Sequence, residues 1–355
     1  MLPSSDASAY QLPPDLFAGS GLTLGVLLAS GLACAAVLFL TPPLIRKMHA
    51  GGMIGHDVNK PSRSVVAELG GISALFAFSV SISLVVGIQK LLGNVEEAPF
   101  LAAISVFFMA SMIGLIDDIS NIKQRLKAIA VAFAALPLAL VHIPPALIQL
   151  PFGFQLSFAG GLYLVYWLVL VPVGVTGVAN AMNMSAGYNG LESGQVAVVS
   201  LALLLVGFLR GIPEYALVIF GTLIGCGVGL FAFNRFPAKV FIGDIGTLGL
   251  GAAVASGVIL GHIEFYGLIA IAPAFYEAGA TAFYAVRGEN GKRKTACRNP
   301  RLLPAGKIAP PEGAERYTLA YYILSKRPMT ERSLVRTILA LYALCGLVAA
   351  GLSVL

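Results

Sequence analysis

Ten stretches of the chain run apolar with little interruption, separated by short polar segments: residues 21–45, 71–92, 99–116, 127–141, 158–178, 195–211, 213–233, 246–262, 265–286 and 334–355. A helix that crosses the hydrocarbon core of a bilayer needs about 20 mostly apolar residues, so each stretch predicts one span. Pro137, Pro172 and Pro273 fall inside these runs. They do not argue against helices, because neighbouring helices in a membrane can satisfy the backbone groups a proline frees. Strands of a membrane barrel would alternate apolar and polar residues. These runs do not. The expected fold is an all-α polytopic membrane protein with ten transmembrane helices.

Composition agrees. The 355 residues are 57% hydrophobic and 11% charged, with a mean hydropathy of +0.86. A soluble domain carries about a quarter charged residues, so a soluble enzyme is excluded. Cys34, Cys226, Cys297 and Cys345 form no paired-cysteine motif, which implies neither a disulfide framework nor a zinc site.

The net charge of +6 matters through its placement. Ten spans put five loops on one side: 46–70, 117–127, 179–195, 234–245 and 287–333. With Arg336 counted at the edge of the last, they carry 21 of the 23 Lys and Arg residues, and only Lys90 and Arg210 fall opposite. Basic residues accumulate in cytoplasmic loops, so these loops are predicted to be cytoplasmic and both termini outside. Residues 1–20 lack Lys and Arg and read as a polar tail, not a secretory signal. The sequence reads as one integral membrane domain, 1–355. Its large basic loop, 287–333, has eleven Lys/Arg against four acids, which fits contact with anionic headgroups as well as it fits an anionic ligand.

The polar residues that could do chemistry cluster at helix ends in these loops. A transporter tends to hold its substrate groups near the bilayer midplane. Asp117 and Asp118 close the third span and are followed by Lys127. Adjacent carboxylates repel unless a cation or proton resolves them, and hard oxygens suit Mg²⁺. Capping a helix is the plainer reading of the pair. Asp118 and Lys127, nine residues apart, would face opposite ways on one continuous helix. For both to meet one substrate the chain must turn between them, and Ser120 and Asn121 are suited to starting a new helix there.

Asn180 and Asn183 would share a helical face, and Gly187, Gly190 and Gly194 with Asn189 permit a loop of exposed N–H groups. A plain inter-helix turn would have the same composition. Asp244 sits where a helix begins after Pro237, able either to cap it or to hold a metal against bound phosphate. Asp57, Asn59, Lys60, Arg63 and Glu68 precede the second span in what reads equally as a solvated loop. Together the four clusters offer carboxylates for a metal, cations for phosphates and amides for a base, all beside lipid.

In this order and in these loops, Asp117-Asp118 with Lys127, Asn180-x-x-Asn183 with Gly187 and Asn189-Gly190-Leu191, and Phe241-Ile242-Gly243-Asp244 resemble the polyprenyl-phosphate N-acetylhexosamine-1-phosphate transferases. Asp57-x-Asn59-Lys60-x-Ser62-Arg63, Glu68-x-Gly70 and Ala186-Gly187-Tyr188-Asn189-Gly190-Leu191-Glu192-Ser193-Gly194-Gln195 are similar to the eukaryotic and archaeal dolichyl-phosphate branch. The large loop has neither the His-x-His of the bacterial enzymes nor the Arg-His-Arg of the dolichyl branch; it reads Lys294-Thr295-Ala296-Cys297-Arg298-Asn299-Pro300-Arg301-Leu302.

The resemblance implies Mg²⁺-dependent transfer (Mn²⁺ could substitute) of GlcNAc-1-phosphate from UDP-GlcNAc to a polyprenyl or dolichyl phosphate, with release of UMP. It implies Asn183 and Asp244 as metal ligands and Lys127 as a phosphate contact. Asp117 and Asp118 would place the substrates, and one of them would serve as a base toward the lipid phosphate. Glu68, Asn59, Lys60, Asn180, Gly187 and Asn189 would bind the nucleotide sugar, with Arg298 and Arg301 at the sugar or its phosphate. The partners are a UDP-sugar, a polyprenyl phosphate and membrane lipids, without nucleic acid; homodimers occur in the family. The active site would be cytoplasmic, at the plasma membrane of a prokaryote or the endoplasmic reticulum of a eukaryote. An undecaprenyl-phosphate transferase using another UDP-sugar shares the chemistry, and a transporter or lipid flippase would use the same acids as ion ligands.

Overall fold

In the computed structural model, which describes residues 20–93, 95–141, 147–286, 299–311 and 318–355, the apolar runs fold as helices: α1 (Ser20–Ala50), α2 (Gly71–Leu92), α3 (Ala98–Ser120), α4 (Gln124–Ala134), α5 (Leu136–Leu140), α6 (Gly161–Val165), α7 (Val171–Met184), α8 (Leu191–Arg210), α9 (Glu214–Asn234), α10 (Gly243–Leu260), α11 (Glu264–Ala270), α12 (Ala272–Val286), α13 (Leu319–Lys326) and α14 (Glu331–Ser353). A widened turn, Tyr166–Leu170, joins α6 to α7. Among the described residues, eight helices are long and apolar enough to cross a membrane, the architecture of a polytopic membrane protein. Two predicted spans, 127–141 and 265–286, are present as broken pairs: α4–α5 interrupted at Ala135 and α11–α12 at Ile271. Pro137 and Pro273, each just inside the second helix of its pair, lack the N–H that would continue the ladder. The expected tail before residue 20 lies outside the described residues, as do Arg298 and most charges of the large basic loop.

Short antiparallel hairpins decorate the helix ends. β1 (Ile54–His56) pairs with β2 (Val65–Ala67), and β3 (Leu147–Gln149) with β4 (Gln155–Ser157). β5 (Arg301–Leu303), β6 (Lys307–Ala309) and β7 (Met329–Thr330) form a small sheet beside the start of α14.

The centre of the bundle is α10, in which every residue from Ile245 to Leu260 is buried. Its sequence explains why. Without a hydrophobic drive between helices in lipid, association relies on close backbone approach through small residues, and α10 carries Gly246, Gly249, Gly251, Ala252, Ala253, Ala255, Ser256 and Gly257. A Cβ on Gly249 would lie 2.0 Å from Ser111 Oγ of α3, and one on Gly257 2.7 Å from the Phe220 ring of α9. The opposite surfaces stay apolar: Leu27, Phe39, Phe76, Leu101, Leu201 and Leu347 are exposed, as side chains facing lipid would be.

The crossing of α3 over the start of α10 fixes the functional end of the molecule. A Cβ on Gly114 would fall 2.2 Å from the carbonyl oxygen of Asp244, so only glycine permits this approach. One turn further along α3, the Asp118 carboxylate accepts the N–H groups of Asp244 (2.8 Å) and Ile245 (3.0 Å). Asp118 therefore caps α10 from another helix, meeting its free donors and the positive end of its dipole. The connection to α4 turns at Asn121, a left-handed C-cap of α3 with φ 50°. The required turn is present, but Ser120 and Asn121 end α3 rather than start α4, whose cap position is Lys123.

Gly114→Ala is expected to overpack this crossing and destabilise the protein by about 1–3 kcal/mol. Asp118→Ala is expected to remove the cap at about 1 kcal/mol or more. Thermal unfolding in detergent checks both: each lowers Tm, and an unchanged Tm for either would contradict the tight crossing.

Candidate functional site

Four helix ends meet at that crossing: the last turns of α3 and α7 and the first turns of α4 and α10. Lys127, in the first turn of α4, is 2% exposed, and its ammonium donates to Asp117 Oδ2 at 2.7 Å and to Asp244 Oδ2. Asn183, in the last turn of α7, places Oδ1 3.4 Å from the same nitrogen and donates from Nδ2 to Asp244 Oδ1 and Thr247 Oγ1, both at 2.7 Å. Asp117 also accepts the N–H of Ile122 at 2.8 Å, which fixes its second oxygen. Burying an ammonium alone is costly, and two carboxylates with good geometry offset that cost.

With two carboxylates and one ammonium the cluster keeps a formal charge of −1. Asp117 and Lys127 are closed off, whereas the Asp244 side chain is 30% exposed and forms the open edge. Among the described residues no three His, Cys, Asp or Glu side chains group as a complete metal cage. What is present at the open edge is a pair of hard-oxygen groups with residual negative charge behind them: the Asp244 carboxylate and the amide oxygen of Asn183. Mg²⁺ characteristically takes one or two carboxylates and fills its remaining positions with phosphate oxygens and water, so the donor set fits it.

A second cluster lies beside the first. The β1–β2 hairpin is tied to the loop before α10 by Phe241 N to Ala67 O, Gly70 N to Phe241 O and Gly71 N to Ile242 O. Its tip carries Asp57, Asn59 and Lys60. Asn59 Nδ2 donates to the Gly187 carbonyl at 2.9 Å and to Glu331 Oε1 at 3.2 Å. Asn189 donates its backbone N–H to Glu331 Oε1 (2.8 Å) and its amide to Asp57 Oδ2 (2.7 Å). Lys60 pairs with Asp57 and lies 4.6 Å from the centre of the Phe236 ring.

Gly187 and Gly190 take φ of 118° and 93°, left-handed conformations that favour glycine, and let the loop turn from α7 into α8. Gly187 N donates to Glu192 Oε1 at 3.0 Å. A cleft of about 180 Å³ opens here, lined by Asn59, Gly187, Tyr188, Glu277, Tyr321 and Tyr342 among others.

The structure thus brings Asp117, Lys127, Asn183 and Asp244 together, and separately Asn59, Lys60, Gly187 and Asn189. Other expected residues are placed differently. Asp118 adjoins the first cluster but both its oxygens are engaged by α10. The Asn180 amide folds back on the Thr176 carbonyl at 2.9 Å, leaving Asn183 to act without it. Glu68 packs over Gly55 and makes no hydrogen bond with a described side chain. Arg301 begins β5, on the small sheet at the rim. Arg298 lies outside the described residues.

Two buried acids, Asp57 and Glu331, were not expected among the site residues. Asp57 stood in the right motif but read as a solvated acid. Glu331 lies 142 residues from Asn189 along the chain, and its only local mark is its place as the first residue of α14.

The pattern defining glycosyl transferase family 4 matches residues 100–262, the stretch that carries Asp117, Asp118, Lys127, Asn183 and Asp244. The chain is 32% identical over 249 residues to a Sulfolobus acidocaldarius protein provisionally named UDP-N-acetylglucosamine–dolichyl-phosphate N-acetylglucosaminephosphotransferase, covering 68% of this chain and 72% of that one. A Saccharolobus solfataricus protein of the same provisional name is 29% identical, over 62% of this chain and 66% of its own. The phospho-N-acetylmuramoyl-pentapeptide-transferase of Streptococcus pyogenes serotype M5 is 28% identical, over 65% of this chain and 71% of that enzyme. The chain belongs to glycosyl transferase family 4.

Proposed function

We propose that this protein transfers GlcNAc-1-phosphate from UDP-GlcNAc to a polyprenyl phosphate of the dolichyl type, releasing UMP. The observation that carries the reading is the Asp117–Lys127–Asp244–Asn183 cluster, an anionic site with one open carboxylate at the end of a membrane bundle. The names of the two archaeal relatives favour the sugar and lipid.

The chemistry forms one bond and breaks one. A phosphate oxygen of the lipid attacks the sugar-bearing β-phosphorus, and the bond from that phosphorus to the bridging oxygen breaks, so UMP leaves with the oxygen. A phosphate monoester is largely dianionic at neutral pH, with a second pKa near 6, so little remains for a base to remove. Phosphoryl transfer asks mainly for positioning and charge stabilisation. Asp244 and Asn183 would hold Mg²⁺, which when bound supplies charge neutralisation and a template for the diphosphate. Without a cation the net negative charge of the cluster would repel that diphosphate.

Asp117 holds Lys127 in place, and Lys127 restrains Asp244; a phosphate arriving at the open edge would meet the Lys127 ammonium by displacing the Asp244 carboxylate from it. Asp118 fixes the start of α10 and so the position of Asp244. Every oxygen of Asp117 and Asp118 accepts a hydrogen bond. That supports direct attack by the lipid phosphate over an aspartyl intermediate. Asn59, held by Glu331, lines the Gly187 cleft at the approach for the nucleotide, and Asn189, held by Glu331 and Asp57, fixes the loop behind it.

The same reading carries a topology of ten spans, counting α4–α5 and α11–α12 as crossings. The termini lie outside, and the site faces the cytoplasm because 21 of the 23 Lys and Arg lie on its side. The Streptococcus relative keeps a bacterial-type transferase with undecaprenyl phosphate as the second reading.

Purified protein given UDP-GlcNAc, dolichyl phosphate and Mg²⁺ is expected to release UMP, and omission of lipid or addition of EDTA stops it. Asp244→Asn and Lys127→Ala should each lower turnover by about 100-fold or more, the scale of losing one preorganised electrostatic group. Glu331→Ala should raise KM for the nucleotide sugar more than it lowers kcat. UMP release only with undecaprenyl phosphate would favour the second reading, and its absence with every lipid and UDP-sugar would contradict both.

A further inference from the structure

The end of α9 and the start of α14 bound a cleft of about 470 Å³ that reaches Asn189 at one side. Four cations line it: Arg235 and Lys239, just past α9, and Arg332 and Arg336, which are four apart and share a face of α14. All four are exposed. Among the described residues none of them forms an ion pair; the nearby Glu331 is turned inward to Asn189 and Asn59. Like charges gathered on a low-dielectric boundary repel one another, so this grouping calls for an anion.

The cleft also has a built floor. The Phe236 ring meets two cations, with Lys60 Nζ 4.6 Å and the Arg332 guanidinium carbon 4.8 Å from its centre. Arg332 further donates to the Phe236 carbonyl at 3.4 Å. These contacts hold Arg332 at the mouth while leaving most of its donors unengaged. Phe231, Ala232, Val335 and Leu339 supply apolar walls that continue down the helices.

Depth identifies the occupant. Helix α9 has 21 residues, about 31 Å at 1.5 Å per residue, which matches the roughly 30 Å hydrocarbon core. Its end at Arg235 therefore stands at the level of lipid phosphates, with the apolar walls at the level of the first acyl carbons. We propose that this cleft is a binding site for the headgroup of an anionic phospholipid of the surrounding membrane. Arg235, Lys239, Arg332 and Arg336 take the phosphate, and the acyl chains run along Phe231 and Leu339. The inference rests on the chain being embedded in a membrane and does not depend on the reaction it catalyses.

Native mass spectrometry of the full chain in detergent, titrated with phosphatidylglycerol or phosphatidylcholine, tests it. The first phosphatidylglycerol is expected to bind about tenfold more tightly than phosphatidylcholine, as a cluster of cations near a headgroup would give. Arg332→Gln/Arg336→Gln and, separately, Arg235→Gln/Lys239→Gln should each abolish that preference. Arg46→Gln/Lys47→Gln removes equal charge elsewhere on the same side and should keep it. Should a pair fail to fold, as judged by Tm, the singles Lys239→Gln and Arg336→Gln should each weaken the preference. Equal binding of the two lipids, or equal loss in all three pairs, would overturn the site in favour of diffuse surface charge. A cleft that retains polyprenyl phosphate but not phosphatidylglycerol would overturn the assigned occupant.

Discussion

The buried ammonium of Lys127 ties the functional end together. It enters from α4 and is neutralised by Asp117 of α3 and Asp244 of α10, with Asn183 of α7 alongside. No one of these helices could keep its charge at this depth alone. Removing one partner of such a buried set leaves an uncompensated charge, at about 3–5 kcal/mol. The cluster therefore stabilises the junction of four helices, and its residual negative charge at the open edge would attract the proposed divalent cation.

That arrangement depends in turn on backbone contact. Gly114 lets α3 touch the first residues of α10, and Asp118 clamps the N–H groups of Asp244 and Ile245. Adjacent acids on one helix thus divide the work: Asp117 faces the ammonium, and Asp118 holds the helix that carries the third acid. The small residues of α10 extend the same logic through the bundle, allowing four neighbouring helices to approach a fully buried centre. The loop cluster of Asn59, Asn189, Asp57 and Glu331 is then hung on this frame through the backbone bonds between residues 67–71 and 241–242.

Much of this was legible in the sequence. Apolar run length located the eight long helices within a few residues, and the polar segments between them marked the loops from which the site is built. Asp117, Lys127, Asn183 and Asp244 could be nominated because each stands at a helix end next to turn-forming residues. Asp118 reads locally as the twin of Asp117, and the helix it caps begins 125 residues later. Glu331 reads as the acidic first turn of a helix, a position that usually faces water, yet it is buried against Asn189. The breaks in α4–α5 and α11–α12 are equally invisible to hydropathy, which registers apolar length and not the continuity of a hydrogen-bond ladder. Where a property depends on local periodicity the sequence suffices; where it depends on which distant backbone a side chain meets, it does not.

At the open edge of the Lys127 cluster, formed by Asp244 and Asn183, we propose that a divalent cation binds together with the diphosphate. Electron paramagnetic resonance of Mn²⁺ titrated into the purified protein, with and without UDP-GlcNAc, reads this without turnover. Bound Mn²⁺ is expected to increase when the nucleotide sugar is present, and Asp244→Asn is expected to abolish the increase while the protein remains folded. An undiminished, nucleotide-linked Mn²⁺ signal in Asp244→Asn would contradict it.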